Sequence, residues 1–307
     1  MNRRDLLMLS LGASTSLLMG HTPYRQWQAY RKNRLIFVAS EVDEVSLRLG
    51  ASLEQTLVAR LPQSKATMAT TATPVDVVGL LASSQLDVAL LTSDDAYEAV
   101  KGAGKFKGRA VPLRALAGFG SSVLHLVTLA GHGITGVPDL KGKVLASGPA
   151  GSPTETLTLR VLEAYGIDPG KDLRQKSLAG ERAATALKDK QIGAIARADM
   201  VTSGTVRDLA STPGLAIALL EHGDALPRIE ARYGPIYRLG TIPKDTYPGV
   251  GTDVGAVAVA HLLVCREDFP DDKAYQIAKT LAESPGSQPL LPFHPGALQL
   301  YEGDQPR

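Results

Sequence analysis

Short apolar runs alternate with helical patterns along most of the chain, and this alternation restricts the possible folds more than any other feature. Residues 35–40 (LIFVAS) predict a first strand, and the helix after it shows an apolar stripe of leucines every four residues, at Leu49, Leu53, Leu57 and Leu61. Residues 65–72 and 86–94 predict two further strands, separated by a helix that Pro74 opens. Unbroken apolar strands between helices are typical of a parallel sheet covered on both faces, so we expect an α/β fold.

A second α/β set follows, and the chain then returns to the first. Residues 114–130 carry two apolar stretches with few helix formers, and strands and helices alternate again as far as residue 220. Residues 237–249 (YRLGTIPKDTYPG) lead back to an apolar strand at 255–265 and a closing helix. We predict two lobes: residues 34–115 form the first part of lobe 1, residues 116–236 form lobe 2 with the crossing strands, and residues 237–307 form the return crossing and the C-terminal part of lobe 1. Two crossings place a cleft at the carboxyl ends of the strands, where open parallel sheets bind ligands.

The N-terminus has the layout of an export leader. Arg3 and Arg4 precede an apolar segment of about 15 residues, and the arginine pair resembles a twin-arginine signal. At about 1.5 Å per residue the segment is short for a bilayer span, which favours a signal over a transmembrane helix. No A-x-A cleavage site follows, so residues 1–22 are either a cleaved signal or a retained inner-membrane anchor, and a buried N-terminal helix is the alternative. We expect a periplasmic protein.

Composition and motif spacing exclude several functions. A net charge of +2 from 33 basic and 31 acidic residues leaves no basic stripe of the kind that nucleic acids require. The histidines include no H-x-x-x-H or H-E-x-x-H pair, no G-x-S-x-G motif occurs, and Cys265 is the single cysteine. His125 and His261 lie inside apolar strands, which favours core histidines over ligands. We expect neither an enzyme nor a metal or cofactor site.

The turn at residues 148–155 (GPAGSPTE) supports two interpretations. Ser152 and Glu155 form an S-x-x-E pattern with Pro153 at the first helical position, which is typical of a capping box. Gly148 to Gly151 also form a loop with few side chains, which lets a small anion approach free amides at the positive end of the helix dipole. Spacing alone leaves both interpretations open.

Three segments resemble the solute-binding receptors of the TAXI family of TRAP transporters: residues 133–167, which include DLKGK and GPAGSPTE, residues 86–97 (LDVALLTSDDAY) and residues 241–249 (TIPKDTYPG). The resemblance runs from about Leu35 to Ala282. It implies a two-lobed clamshell of the type II periplasmic binding-protein class, which captures a small organic anion such as glutamate or a dicarboxylate and delivers it to a TRAP membrane permease. The ligand-binding residues expected from it and from the strand ends are Ser40, Thr73, Ser93, Asp94, Gly151, Ser152, Thr154 and Arg197.

The sequence also departs from that family at two places. The first strand continues as ASEVDEVSLRLG, without the family's glycines and aromatic residues, and Arg197 and Asp199 stand where a glycine-x-proline turn is usual. The acids at 41, 43 and 44 either face solvent or indicate a solute with a positive group. An envelope sensor or accessory protein that has lost transport is therefore the alternative function, and an enzyme is disfavoured because no nucleophile–base pair is apparent.

Overall fold

The computed structural model describes residues 35–282, 293–295 and 297. The predicted leader lies outside these residues. Over the described part, ten strands alternate with eight α-helices. The strands are β1 (Ile36–Ser40), β2 (Thr67–Thr71), β3 (Val88–Thr92), β4 (Leu113–Leu129), β5 (Val144–Ala146), β6 (Arg174–Lys176), β7 (Ala194–Asp199), β8 (Ile217–Leu219), β9 (Tyr237–Ile242) and β10 (Val254–Arg266). The helices are α1 (Glu44–Arg60), α2 (Pro74–Ala82), α3 (Ser93–Lys101), α4 (Pro153–Ala164), α5 (Gly180–Lys188), α6 (Gly204–Ala210), α7 (Leu226–Tyr233) and α8 (Asp271–Leu281).

The strands form one hydrogen-bonded mixed sheet in the order β2-β1-β3-β10-β4-β7-β5-β6, with β9 paired to β10 and β8 paired to β4. β1, β2 and β3 are parallel to one another, and so are β5, β6 and β7. The long strands β4 and β10 run antiparallel to each other and to their neighbours β3 and β7. The expected parallel sheets are therefore present in two halves, and two antiparallel crossing strands connect them.

The hydrophobic core divides into two parts along these crossing strands. Two buried clusters draw only on residues 37–117 and 262–297, and two others draw only on residues 123–259. The boundary between the two parts of the core lies between Ala117 and Val123 on β4 and between Val259 and Leu262 on β10. We call the first part lobe 1 and the second part lobe 2. Residues 237–259, which the sequence assigns to the return crossing, pack in the core of lobe 2.

The local sequence explains why these elements form where they do. Leu53 and Leu57 are buried in the lobe 1 core, with Leu49 and Leu61 packed beside them, so the predicted apolar stripe of α1 is confirmed. Asp43 begins this helix by accepting a hydrogen bond from the backbone N–H of Ser46 at 3.0 Å. Among the described residues, none of the helices is both long enough and apolar enough to cross a bilayer.

Candidate functional site

A small cavity lies between the lobes, at the ends of β1, β5 and β7. Lobe 1 contributes residues 42–44, which follow β1, and lobe 2 contributes the glycine-rich turn, residues 178–180 and residues 196–198. Ser122 and His261 complete the lining from the two crossing strands. The cavity volume is about 30 Å³, which accommodates a water molecule. Sites for organic ligands usually measure about 300–1,000 Å³, so this cavity is too small for an organic solute in this structure.

Two ion pairs close the lobes over this cavity. Glu44 Oε2 lies 2.6 Å from Arg197 Nη2, and Arg48 Nη2 lies 2.5 Å from Asp199 Oδ1. Glu44 and Arg48 stand one turn apart on α1 of lobe 1, whereas Arg197 and Asp199 are alternate residues of β7 in lobe 2 and therefore project from the same face. Arg197 Nε also donates to Asp199 at 3.0 Å and to Ser203 Oγ at 3.1 Å. The four charged side chains form one network across the lobe boundary.

The charges of this network keep each other ionised. Burial alone raises the pKa of Asp199, but the guanidinium groups of Arg197 and Arg48 outweigh it and hold that pKa below its usual value. Burial lowers the pKa of Arg197, but the hydrogen bond and charge of Glu44 outweigh that effect and raise it. Arg197, the cation on the cavity lining, is thus already paired with two carboxylates in the closed structure.

A chain of buried hydrogen bonds runs beside the network. Ser46 Oγ donates to Asp43 Oδ2 at 2.5 Å, so Ser46 accepts from His261 Nδ1 at 3.2 Å. Nε2 of the same ring then accepts from Ser122 Oγ at 2.7 Å. Burial lowers the pKa of His261 although the charge of Asp43 opposes it, which leaves the imidazole neutral at pH 7. His261 is therefore a core histidine that also lines the cavity and ties α1 to β4.

The glycine-rich turn is capped by the protein's own groups. Ser152 Oγ accepts from the Glu155 N–H at 3.1 Å, and the Glu155 carboxylate accepts from the Gly151 N–H at 2.7 Å rather than from Ser152. Thr154 Oγ1 accepts from a backbone N–H of β7 at 3.2 Å and lines the cavity. Gly148 has a φ of +97°, and a Cβ there would lie 2.7 Å from Thr154 Cγ2, so only glycine fits this turn.

The structure brings two of the eight predicted site residues onto the cavity, Thr154 and Arg197. The other six have partners elsewhere. Ser40 donates to the Ala72 carbonyl at 3.3 Å, Thr73 caps α2, and Ser93 donates to the Ile236 carbonyl at 3.0 Å. Gly151 and Ser152 belong to the helix cap described above, and Asp94 belongs to the network described next.

The acids near the first strand separate into two groups. Asp43 and Glu44 line the cavity, whereas Glu41 accepts a hydrogen bond from Thr70 Oγ1 at 2.8 Å on the exposed surface. Glu41 therefore faces solvent, Asp43 is buried, and Glu44 lies on the cavity with its side chain partly exposed. Sequence reasoning did not include Asp43 or Glu44 among the site residues, although it recorded these acids as a departure from the family pattern.

A second network, largely buried, joins the lobes through Arg160. The guanidinium of Arg160, on α4 of lobe 2, contacts Glu98 of α3 and lies 3.6 Å from Asp94 Oδ2. Tyr237 O–H donates to Asp94 Oδ2 at 2.7 Å. Lys105 Nζ lies 2.6 Å from Asp95 Oδ1. Burial raises the pKa of Asp95 to about 6, because the opposing charge of Lys105 compensates only in part.

Other candidate sites are weaker. A cavity of about 320 Å³ lies among exposed side chains of lobe 2 and touches that lobe alone, with Lys143, Arg174 and Lys190 around it. Within the described residues, no group of three or more His, Cys, Asp or Glu side chains is placed to hold a metal ion. Cys265 is buried, and burial raises its thiol pKa, so the thiol is unreactive.

Two α/β lobes joined by two long strands, with a cavity lined from both lobes, define the fold of type II periplasmic binding proteins. Solved structures with this similarity include a Bordetella bronchiseptica RB50 protein (17% identity, 82% of this chain and 70% of that chain covered, TM-score 0.50). A Xanthomonas citri protein bound to ATP has 12% identity, with 82% of this chain and 83% of that chain covered and a TM-score of 0.50. The periplasmic aliphatic sulphonate binding protein SsuA from Escherichia coli has 14% identity, with 89% of this chain and 84% of that chain covered and a TM-score of 0.48. Residues 45–288 match the NMT1-like family model, and the chain belongs to that family.

Proposed function

We propose that this protein is an extracytoplasmic solute-binding protein that closes its lobes on a small carboxylate-bearing solute and delivers it to a membrane transporter. The observation that carries the proposal is Arg197. Its guanidinium lies on a cavity between the lobes and already holds a carboxylate from the opposite lobe at 2.6 Å. Guanidinium–carboxylate contacts are among the strongest hydrogen bonds in proteins, so this position suits a solute carboxylate.

The charges around the cavity favour one kind of carboxylate solute. Asp43, Glu44 and Asp199 are acidic and Arg48 and Arg197 are basic, so the formal charge of the site is one negative with His261 neutral. A dicarboxylate would leave several buried negative charges unpaired, which is costly. An amino acid such as glutamate brings an ammonium group that can pair with Asp43 or Glu44. We therefore propose an amino acid in preference to a plain dicarboxylate.

The transporter that we propose is a TRAP permease of the TAXI type. The support is the sequence resemblance of the DLKGK, GPAGSPTE and TIPKDTYPG segments. We place the protein in the periplasm, with residues 1–22 as a twin-arginine signal or a retained anchor.

An envelope sensor or accessory protein without transport is the second candidate. The closed cavity of about 30 Å³ and the pairing of Arg197 with two carboxylates favour it, because no organic solute fits until the lobes separate.

A thermal-shift screen separates the two candidates. The purified protein is heated with amino acids, monocarboxylates, dicarboxylates and aliphatic sulphonates, and a solute present at 100 times its Kd stabilises the folded state by about 2.7 kcal/mol. We expect glutamate or a related amino acid to raise the Tm, and Arg197→Gln to abolish the rise. Arg232→Gln, which removes an exposed cation of lobe 2 that lines neither cavity, is the matched control. A screen in which no solute raises the Tm would support the accessory role.

A further inference from the structure

Glu44 is the single described side chain of lobe 1 that contacts Arg197 by an ion pair. The other partners of Arg197, Asp199 and Ser203, come from its own lobe. The Arg197 side chain is 12% exposed, whereas that of Glu44 is 43% exposed. The guanidinium is therefore fixed within lobe 2, and the carboxylate reaches it from the edge of the opposite lobe.

We propose that Glu44 is an internal pseudo-ligand, whose carboxylate occupies on Arg197 the position that a solute carboxylate takes. Three observations carry this. The contact crosses the lobe boundary, it lies on the cavity lining, and its length of 2.6 Å is that of a charge-assisted hydrogen bond. Glu44 stands in the first turn of α1 and is partly exposed, so its side chain can rotate into solvent when it is displaced.

The pseudo-ligand makes Glu44 a specificity-determining residue. A solute reaches Arg197 only by competing with Glu44, so its apparent affinity is its intrinsic affinity multiplied by the fraction of molecules in which Arg197 is vacant. Neutral solutes gain nothing from the exchange, because they leave Glu44 without a charged partner and leave Arg197 with Asp199 alone. An anionic solute instead replaces the Glu44 carboxylate on Arg197 with its own anionic group. The contact thus selects for anionic groups and keeps the lobes closed without solute.

The second ion pair survives this exchange. Arg48 Nη2 and Asp199 Oδ1 bridge the lobes at 2.5 Å, and Glu44 takes no part in this pair. Displacement of Glu44 therefore removes one of two links on this side of the boundary. The inference predicts that loss of the Glu44 carboxylate loosens the lobes, and that a small carboxylate restores the closed state.

The experiment is a chemical rescue with acetate, read as a distance between the lobes. Spin labels are placed at two exposed apolar side chains, Val58→Cys on α1 and Leu239→Cys on β9, while the buried Cys265 stays unlabelled. Pulsed electron paramagnetic resonance measures the distance in wild type, Glu44→Ala and Glu44→Gln. Glu41→Ala is the matched control. Glu41 is three residues before Glu44 and carries the same charge, but its side chain does not line the cavity.

We expect a single short distance in wild type and in Glu41→Ala, and a longer or broader distribution in both Glu44 variants. Acetate, compared with chloride at equal ionic strength, should restore the short distance in Glu44→Ala at a concentration at least about tenfold below any effect on wild type. Unchanged distances in both Glu44 variants would overturn the inference, and so would equal responses of wild type and Glu44→Ala to acetate.

The acetate result does not depend on the natural solute, so the two proposals can fail separately. If acetate rescues Glu44→Ala but the thermal screen finds no solute, the pseudo-ligand stands and the transport function falls. If L-glutamate binds wild type and Glu44→Gln with equal affinity, the transport function stands and the pseudo-ligand falls. The inference that a solute displaces Glu44 rests on the proposed function, whereas the inference that Glu44 holds the lobes together does not.

Discussion

Removing Arg160 should destabilise the protein more than any other single loss of charge among the interlobe contacts. The side chains of Arg160, Asp94 and Glu98 are 8%, 2% and 9% exposed, so Arg160→Met leaves two carboxylates buried without the cation that faces them. Breaking a buried ion pair by removing one partner costs about 3–5 kcal/mol. The guanidinium also lies 4.3 Å from the Tyr233 ring centroid, and that cation–π contact is lost as well.

Urea unfolding followed by far-ultraviolet circular dichroism measures this loss. With a slope of about 3 kcal/mol per molar, the expected destabilisation lowers the midpoint by about 1–1.7 M. The deficit should shrink as the pH falls. In wild type, burial raises the pKa of Asp94 but the charges of Arg160 and Lys105 outweigh it, and without Arg160 the carboxyl takes up a proton more readily.

Two further variants test the reasoning. Adding Glu98→Gln to Arg160→Met should recover part of the stability, because it removes one of the unpaired carboxylates. Arg232→Met is the matched control: Arg232 is 65% exposed and lies 3.4 Å from Glu163, so its loss should change the free energy of unfolding by less than about 0.5 kcal/mol. If Arg160→Met costs no more than Arg232→Met, the buried network does not hold the lobes together.

Four other perturbations have defined outcomes. The folded-state pKa of Asp95 is about 6 against an ordinary value of 3.8, so this group's stabilisation is present at low pH and is lost as the pH rises from 4 to 6; Asp95→Asn should gain up to about 3 kcal/mol relative to wild type over that range in urea titrations. Thr154→Val removes the acceptor of a β7 backbone N–H, and we expect a stability loss of about 1 kcal/mol together with weaker solute binding in calorimetric titration. Ser152→Ala, which removes only the helix cap, should cost a similar stability without that binding loss. Replacing Arg3 and Arg4 by lysine should retain the protein in the cytoplasm on cell fractionation, whereas an unchanged periplasmic yield would indicate the general secretory route.

The elements that the sequence predicted are those with strong local patterns. The apolar runs at 35–40 and 86–94 contain β1 and β3, and the leucine stripe marks α1. A fully buried strand is a continuous apolar run and a helix buried on one face has apolar residues at a fixed period, so both leave a local pattern in the sequence. Helix α7 was not expected. It begins with Leu226 and Pro227 and buries only Ile229 of its eight residues, so it leaves almost no apolar stripe in the sequence.

The site was less predictable because its contacts join distant parts of the chain. Glu44 and Arg197 are 153 residues apart and Arg160 and Glu98 are 62 apart, and no local period encodes such pairs. A signal did exist. The unexpected acids after β1 and the unexpected Arg197 on β7 are departures of opposite charge at two strand ends that face one cleft, and reading them together would have predicted the ion pair between Glu44 and Arg197.

The position of β10 in the sheet determines when lobe 1 can be completed during synthesis. β10 lies between β3 and β4, yet its residues are among the last of the described chain to be made. The core of lobe 2 uses residues 123–259 alone, whereas the core of lobe 1 needs residues 262–297 as well. Until β10 is available, the facing edges of β3 and β4 have unpaired backbone groups, which are prone to aggregation. A chain truncated before residue 260 would therefore retain a nearly complete lobe 2 beside an open lobe 1 sheet.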